Sequence, residues 1–557
     1  MGSAERGHSA GRGARRTSLF EALAGRIMLA SGWRRALLAA LSGAIATLGL
    51  PPFDIPLAGF IAFPVLVWLL DGLGRDPGAG ALKRFAAPFA IGWTFGFGYF
   101  VAGLWWLGAA LLVDAGSFAW FLPFAVLGLP AILAIFFGLA AALARLVWSD
   151  SAWRILGLAS AFALAEWGRG FVLTGFPWNE IGLIALSHPV LVQSVSLMGL
   201  QGITLLAVLI FSTPAILSDR RGRWPVAALA LALVVGQIGY GIWRLDAHPP
   251  SASETVAIRI VQPNIRQSLK WNAQEAERNF EKLLELTAMR PAPGEDVVDS
   301  ETPADDRRTL IVWPETAFPF VLTDRPDALN RLADTLQPGE TLIGGAVRVE
   351  RSEADRARFY NSIYVIDDQG TIVEAADKLH LVPFGEYLPF QDLLESWGVS
   401  NLVQMPGGFS AGASRRAVEL AGAPSFLPLI CYEIIFPDEI TLEDPAPGFI
   451  LNVTNDAWYG ETPGPYQHLR MAQVTAVALG LPLIRAANTG ISVVDDALGR
   501  ERSGLGLGAT GTIDLALPTE TIDTPYRRHG ALLFWGLWCV FTLLSVVFRL
   551  DLRPRID

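Results

Sequence analysis

Charge is scarce in this chain. Asp, Glu, Lys and Arg make up 17% of its 557 residues, where a soluble globular protein carries about a quarter. With 52% hydrophobic residues and a mean hydropathy of +0.39, that shortfall argues for a bilayer around much of the chain. Cysteine is rarer still. Only Cys431 and Cys539 occur, which excludes a disulfide framework and a cysteine-ligated metal cluster. The six histidines include no pair at i, i+4 or a similar ligand spacing, so no metal and no cofactor is expected. A net charge of -10 without a basic stripe leaves nothing to track phosphates, and nucleic acid is excluded as a partner.

What the chain has in abundance is apolar runs. Eight are long enough to be read as spans, near 34–50, 55–72, 86–113, 117–146, 153–170, 191–217, 224–244 and 530–549. The first has the length of a signal peptide, but a second run follows almost at once, which favours a retained hairpin. Basic residues orient the set. Seven Arg lie in the first 35 positions, and Arg75, Lys83, Arg84, Arg154, Arg220, Arg221, Arg223, Arg549, Arg553 and Arg555 fall in alternate connections. The remaining connections carry Asp54, Asp114 and the lone Arg169. This asymmetry puts both termini in the cytoplasm. Arg527 and Arg528 oppose it, but they follow a long translocated domain whose charges count for little. The expected layout is a basic tail (1–33), a seven-span bundle (34–247), an extracytoplasmic domain (252–525), a final transmembrane helix (530–549) and a short tail (550–557).

The outer domain reads as α/β. Short β-rich runs at 256–261, 309–313, 341–344, 363–366, 426–431 and 448–452 alternate with helical patterns such as 275–288 and 468–479. The Pro- and acid-rich stretch 290–308 lacks periodicity and reads as a solvated loop. Three stretches place polar groups at the ends of apolar strands: Trp313-Pro314-Glu315, Lys378-Leu-His380-Leu-Val-Pro-Phe-Gly-Glu386, and Ile430-Cys431-Tyr432-Glu433. Taken singly, a buried Cys is more often a small core residue, and a lone Lys a solvated charge. Their joint presence in this order changes the odds.

In that order the three resemble the Glu, Lys and Cys of the nitrilase superfamily, over roughly residues 255–515. Asn452-Val-Thr-Asn455-Asp456-Ala-Trp458 and Arg485-Ala-Ala-Asn488 extend the match, while Gln267-Ser-Leu-Lys-Trp271 and, within the membrane part, Thr174-Gly-Phe-Pro-Trp178 resemble elements of a membrane-embedded family. With seven preceding spans and one following, the chain is similar to the apolipoprotein N-acyltransferase family. The resemblance implies a multi-domain fold, with a polytopic α-helical membrane bundle of about eight spans and a nitrilase-like αββα sandwich. It implies a bacterial inner-membrane enzyme that works as a monomer, with its sandwich on the periplasmic side. The implied reaction moves an acyl chain from a phosphatidylethanolamine-like phospholipid to the N-terminal cysteine amine of a diacylglyceryl apolipoprotein.

The resemblance also assigns roles. Cys431 is the nucleophile, Glu315 the general base and Lys378 the supporting ammonium, with Glu386, Tyr432, Glu433 and Trp271 around the nucleophile or at the substrate entrance. A thiol is mostly protonated near neutral pH, so it needs such a base to attack an ester. Asn455, Asp456 and Trp458 are read as pocket residues, with a helix cap the alternative for Asp456. Arg485 and Asn488 are read as support, and His468 is left open. Phe384, Phe390 and the apolar residues up to 403 suit either a loop dipping into lipid or a packed helix. Rival readings are a membrane-tethered amidase, a transporter with an accessory domain, and a binding protein that lost catalysis. The apolar half disfavours the first, the scarcity of ionisable residues within spans the second, and the intact Glu–Lys–Cys set the third.

Overall fold

The computed structural model describes residues 19–74, 78, 80–217, 219, 221–270, 272–289, 307–351, 357–391, 408–442 and 446–550. Trp271, most of the 290–308 stretch, the 392–403 part of the apolar run, residues 1–18 and residues 551–557 lie outside them. Each expected apolar run is helical. Five stretches are long and apolar enough to cross a membrane: Leu82–Leu112, Ala115–Leu146, Val195–Ile216, Arg223–Ala247 and Leu532–Leu550. The other three helices, Gly32–Ala46, Gly59–Asp71 and Arg154–Arg169, have 15, 13 and 16 residues, short of the roughly 20 that a span needs. A further helix, Leu19–Met28, forms within the basic N-terminal stretch.

Small residues bring these helices together. A Cβ on Gly98 would fall 2.0 Å from the Ala40 carbonyl oxygen, and one on Gly43 as close to that of Phe95. The helices Gly32–Ala46 and Ala81–Leu104 therefore touch backbone to backbone, the contact small residues permit where lipid supplies no hydrophobic drive. At the centre lies Arg154–Arg169, whose buried positions include Ser160, Glu166 and Arg169. The two charges neutralise each other, since the Arg169 guanidinium bonds the Glu166 carboxylate.

The α/β part contains two six-stranded sheets. The first comprises β1 (Ala252–Gln262), β2 (Arg308–Trp313), β3 (Glu340–Glu350), β4 (Arg358–Ile366), β5 (Ile372–Asp377) and β12 (Gly511–Pro518), in the order β12-β1-β2-β3-β4-β5. The second comprises β6 (Val418–Leu420), β7 (Ala423–Ile430), β8 (Phe449–Thr454), β9 (Leu483–Ala487), β10 (Ser492–Asp495) and β11 (Glu501–Leu505), in reverse chain order. The central strands β1, β2 and β3 run parallel, as do β7, β8 and β9. Strands β8 and β9 are buried throughout, as parallel strands covered on both faces must be.

Ile258, Val312, Phe426, Leu451 and Ile484 fill the space between the sheets. The helices Ala276–Ala288 and Pro326–Thr335 cover the outer face of the first through Phe280, Leu283 and Leu332. On the second, the helix Pro463–Leu479 does the same work, but its far side meets the membrane bundle. One apolar cluster runs from bundle residues such as Phe162 and Leu205 into Met471, Val477, Leu427 and Leu429. The outer layer of the sandwich is thus also a layer of the bundle.

Gly98→Leu should lower the melting temperature of the detergent-solubilised protein, by an overpacking cost of about 1–3 kcal/mol. An unchanged transition would show that the two helices can separate without penalty.

Candidate active site

Strand β2 ends at Trp313, and Pro314 turns the chain so that Glu315 leaves the carboxyl rim of a parallel sheet, where α/β folds place reactive groups. Strand β7 ends at Ile430, and the next residue, Cys431, has φ 53°. A non-glycine residue in that region costs about 1–3 kcal/mol and persists only where its surroundings enforce it. The enforcer here is Glu433. Its carboxylate accepts from Ile430 N at 2.8 Å, Leu379 N at 2.9 Å, His380 N at 3.2 Å and Arg415 Nη2 at 2.7 Å. One side chain therefore ties the turn that carries Cys431 to the backbone just after Lys378.

Glu315, Lys378 and Glu386 come together. Lys378 Nζ donates to Glu386 at 2.9 Å and lies 3.8 Å from Glu315 Oε1. Asn361 Nδ2, projecting from β4, bridges the two carboxylates at 2.7 and 2.8 Å. Glu386 also accepts from Val382 N at 2.8 Å, which closes the 382–386 loop. All of these side chains are buried. Burial would depress the Lys378 ammonium, but the Glu386 and Glu315 carboxylates override it and hold its pKa above the ordinary lysine value. Burial and the Glu315 charge push the Cys431 thiol up to about 12, against the pull of Lys378. Such a thiol does not ionise by itself near neutral pH. It has to pass its proton to a base as it reacts.

Beneath the thiol lies a second polar group. His468 Nε2 is 3.2 Å from the Cys431 carbonyl oxygen, and its Nδ1 is 2.9 Å from Asp456 Oδ1. Arg485 Nη2 donates to Asp456 Oδ2 at 2.8 Å, and the same guanidinium bonds Asn452. Asn452 Nδ2 in turn donates to the Leu429 carbonyl at 2.9 Å. Burial opposes the Asp456 charge, but Arg485 and His468 outweigh it and hold the carboxyl down to about 2. Asp456 is therefore a buried anchor below Cys431, not a helix cap. Asn488 and Asn455 fasten the loop before Lys270: Asn488 Oδ1 accepts from Ile265 N at 2.9 Å, and Asn455 Nδ2 donates to Gln267 at 2.7 Å.

The bundle supplies the aromatic side. Tyr432 OH donates to the Gly175 carbonyl at 3.1 Å, and its ring lies 6.5 Å from that of Trp178. Trp178 and Trp106 both donate to Gln467 Oε1 at 3.1 Å, on the shared helix. The 174–178 stretch thus packs directly against the turn that carries Cys431 and Tyr432. Burial raises the Tyr432 phenol well above its ordinary value, so the ring acts as a neutral wall. Among the described residues no cluster of metal-ligating side chains occurs.

One buried cation escapes sequence reasoning. Lys270 Nζ donates to the Glu315 backbone carbonyl at 2.8 Å. In sequence it is a lone Lys in a polar stretch, which reads as solvated. The only available signal was its place beside Trp271.

Two facing sheets with reactive groups at the rims of their parallel strands make this domain a carbon–nitrogen hydrolase fold, and the Carbon-nitrogen hydrolase family profile matches residues 257–526. The helical half matches the Apolipoprotein N-acyltransferase N-terminal domain over residues 42–213. The Apolipoprotein N-acyltransferase of Brucella suis is 54% identical over 500 residues, 89% of this chain and 92% of that protein. Its counterpart in Allorhizobium ampelinum is 50% identical over 539 residues, 96% of this chain and 100% of that protein. The chain belongs to the apolipoprotein N-acyltransferase family. Among solved structures, an amidase from Nesterenkonia sp. is 17% identical with a TM-score of 0.34, covering 52% of this chain and 99% of its own.

Glu433→Ala should leave Arg415 and three backbone N–H groups without their partner. We expect a destabilisation of about 3–5 kcal/mol and loss of acyl transfer. Retention of both stability and activity would show that the Cys431 conformation does not depend on this carboxylate.

Proposed function

We propose that this chain transfers an acyl chain from a phospholipid to the N-terminal cysteine amine of diacylglyceryl apolipoproteins, through a thioester on Cys431. The observation that carries the reading is the buried pair Glu315 and Lys378, 3.8 Å apart, with the turn bearing Cys431 tied to the backbone beside Lys378 through Glu433, in a site walled by side chains of the membrane bundle. Glu315 takes the thiol proton as Sγ attacks the ester carbonyl. Lys378, held by Glu386, and the backbone N–H of Tyr432 favour the oxyanion. Collapse expels a lysophospholipid and leaves the thioester. The acceptor amine then attacks with Glu315 as its base, and the thiol is regenerated.

Transfer in place of hydrolysis follows from the surroundings. Trp178, Tyr432, Trp106 and Tyr459 form a continuous aromatic wall, and a site that excludes water favours an amine delivered on a lipid anchor. In this reading the three short helices complete an eight-span bundle with both termini in the cytoplasm. The sandwich then faces the periplasm of an inner membrane, the donor is phosphatidylethanolamine-like, and the working unit is a monomer. Trp271 belongs to the substrate entrance.

Incubation with phospholipid carrying a labelled acyl chain should give a hydroxylamine-sensitive adduct on the wild-type enzyme and none on Cys431→Ser. Wild-type levels of that adduct on the variant would remove Cys431 from the role of nucleophile.

A further inference from the structure

One ammonium serves two carboxylates around Lys378. Glu386 is the nearer partner at 2.9 Å, and Glu315 lies at 3.8 Å. A second cation sits beyond Glu315. Lys270 is 3% exposed, and its charge is felt by both Glu315 and Cys431. Its one hydrogen bond among the described residues goes to the Glu315 carbonyl oxygen, so two of the three N–H donors of an ammonium remain uncommitted.

Anchoring does not account for it. The 263–270 loop is already held by Asn264 N to the Asn488 carbonyl at 3.0 Å, Ile265 N to Asn488 Oδ1 at 2.9 Å and Asn455 to Gln267 at 2.7 Å. A neutral donor would reach the Glu315 carbonyl equally well, whereas a buried ammonium carries a large desolvation cost. Something in the site has to compensate for that cost.

We propose that Lys270 is the second cation of acyl transfer, holding the negative charge as it passes from Glu315 to the substrate oxygen. This rests on the Cys431 reading given above. As the Sγ–C bond forms, the thiol proton moves to Glu315 and the carbonyl π pair moves onto oxygen. Glu315 becomes neutral while one negative charge appears on the oxyanion. Lys378 stays bonded to Glu386 throughout. Lys270 loses the carboxylate that balanced it, and its free donors face the new charge, where a fixed cation shielded from water acts most strongly. When the intermediate collapses, the charge leaves with the lysophospholipid alkoxide, which takes the proton back from Glu315, and the original balance returns. Burial also pulls Lys270 down to about 8, against the two groups that act on it, Glu315 and Cys431. The cation is therefore present at neutral pH and fades as the medium becomes alkaline.

The test uses full-length wild type, Lys270→Met and Lys270→Arg in detergent–phospholipid micelles, from about pH 6 to about pH 10. Two rates are followed, single-turnover acylation of Cys431 by labelled phospholipid and alkylation of Cys431 by iodoacetamide. At neutral pH Lys270→Met should acylate at least about tenfold more slowly and alkylate more slowly, with an unchanged melting temperature. Wild-type acylation should fall above about pH 8, and Lys270→Arg should restore the neutral rate without that fall. Wild-type rates in Lys270→Met, or equal losses in Met and Arg variants, would overturn the inference. Should the Met variant not accumulate, the Arg variant decides: a missing alkaline fall supports the proposal, and an unshifted one refutes it. Alkylation separates the two readings, because it reports the influence of Lys270 on the thiol even in a protein that accepts no acyl group from phospholipid.

Discussion

Burial opposes every charge around Cys431, and the arrangement of the site follows from that constraint. Desolvation is the largest influence on Cys431, on Lys378 and on Lys270 alike. An isolated ion there would neutralise itself rather than persist. The protein answers by burying charges in matched sets. Asn361 bridges Glu315 and Glu386, and Lys378 completes the group. Arg485, Asp456 and His468 form a second set below Cys431. Proton transfer inside such sets moves charge over a short distance without creating any, and so avoids the cost of ionising a lone group.

Geometry is enforced by the same economy of partners. Glu433 spans from the turn that carries Cys431 to the backbone just after Lys378, so one carboxylate fixes the two segments relative to each other across the packed sandwich. The left-handed backbone at Cys431 places the thiol beyond the strand end, and the aromatic wall from the bundle closes the side that β7 leaves open.

Much of this was legible in the sequence, and the reasons are particular. Apolar runs announced the helices because bilayer thickness demands length, although three of them proved shorter than a span. Arg154–Arg169 illustrates why: buried on nearly all sides, it answers to neighbouring helices and not to lipid, so packing sets its length. Glu315, Lys378 and Cys431 stood out because each follows an apolar strand. Lys270 did not, since its burial arises from a loop folded across 45 residues of chain onto Glu315, and no local pattern encodes that approach. The role of Asp456 was hidden for the same reason, because its partners Arg485 and His468 come from β9 and the shared helix. The acidic stretch and Trp271 fall outside the described residues, where the structure adds nothing to the sequence reading.

The helix Pro463–Leu479 belongs to two layers at once, and this limits how the protein can open. Tilting the sandwich away from the bundle as a rigid body would strip Leu427, Met471 and Val477 of their neighbours and break the Gln467 bonds to both tryptophans. Domain hinging is therefore an expensive way to admit bulky amphiphiles. The sandwich and the bundle therefore behave as one fixed frame and not as a pair of jaws.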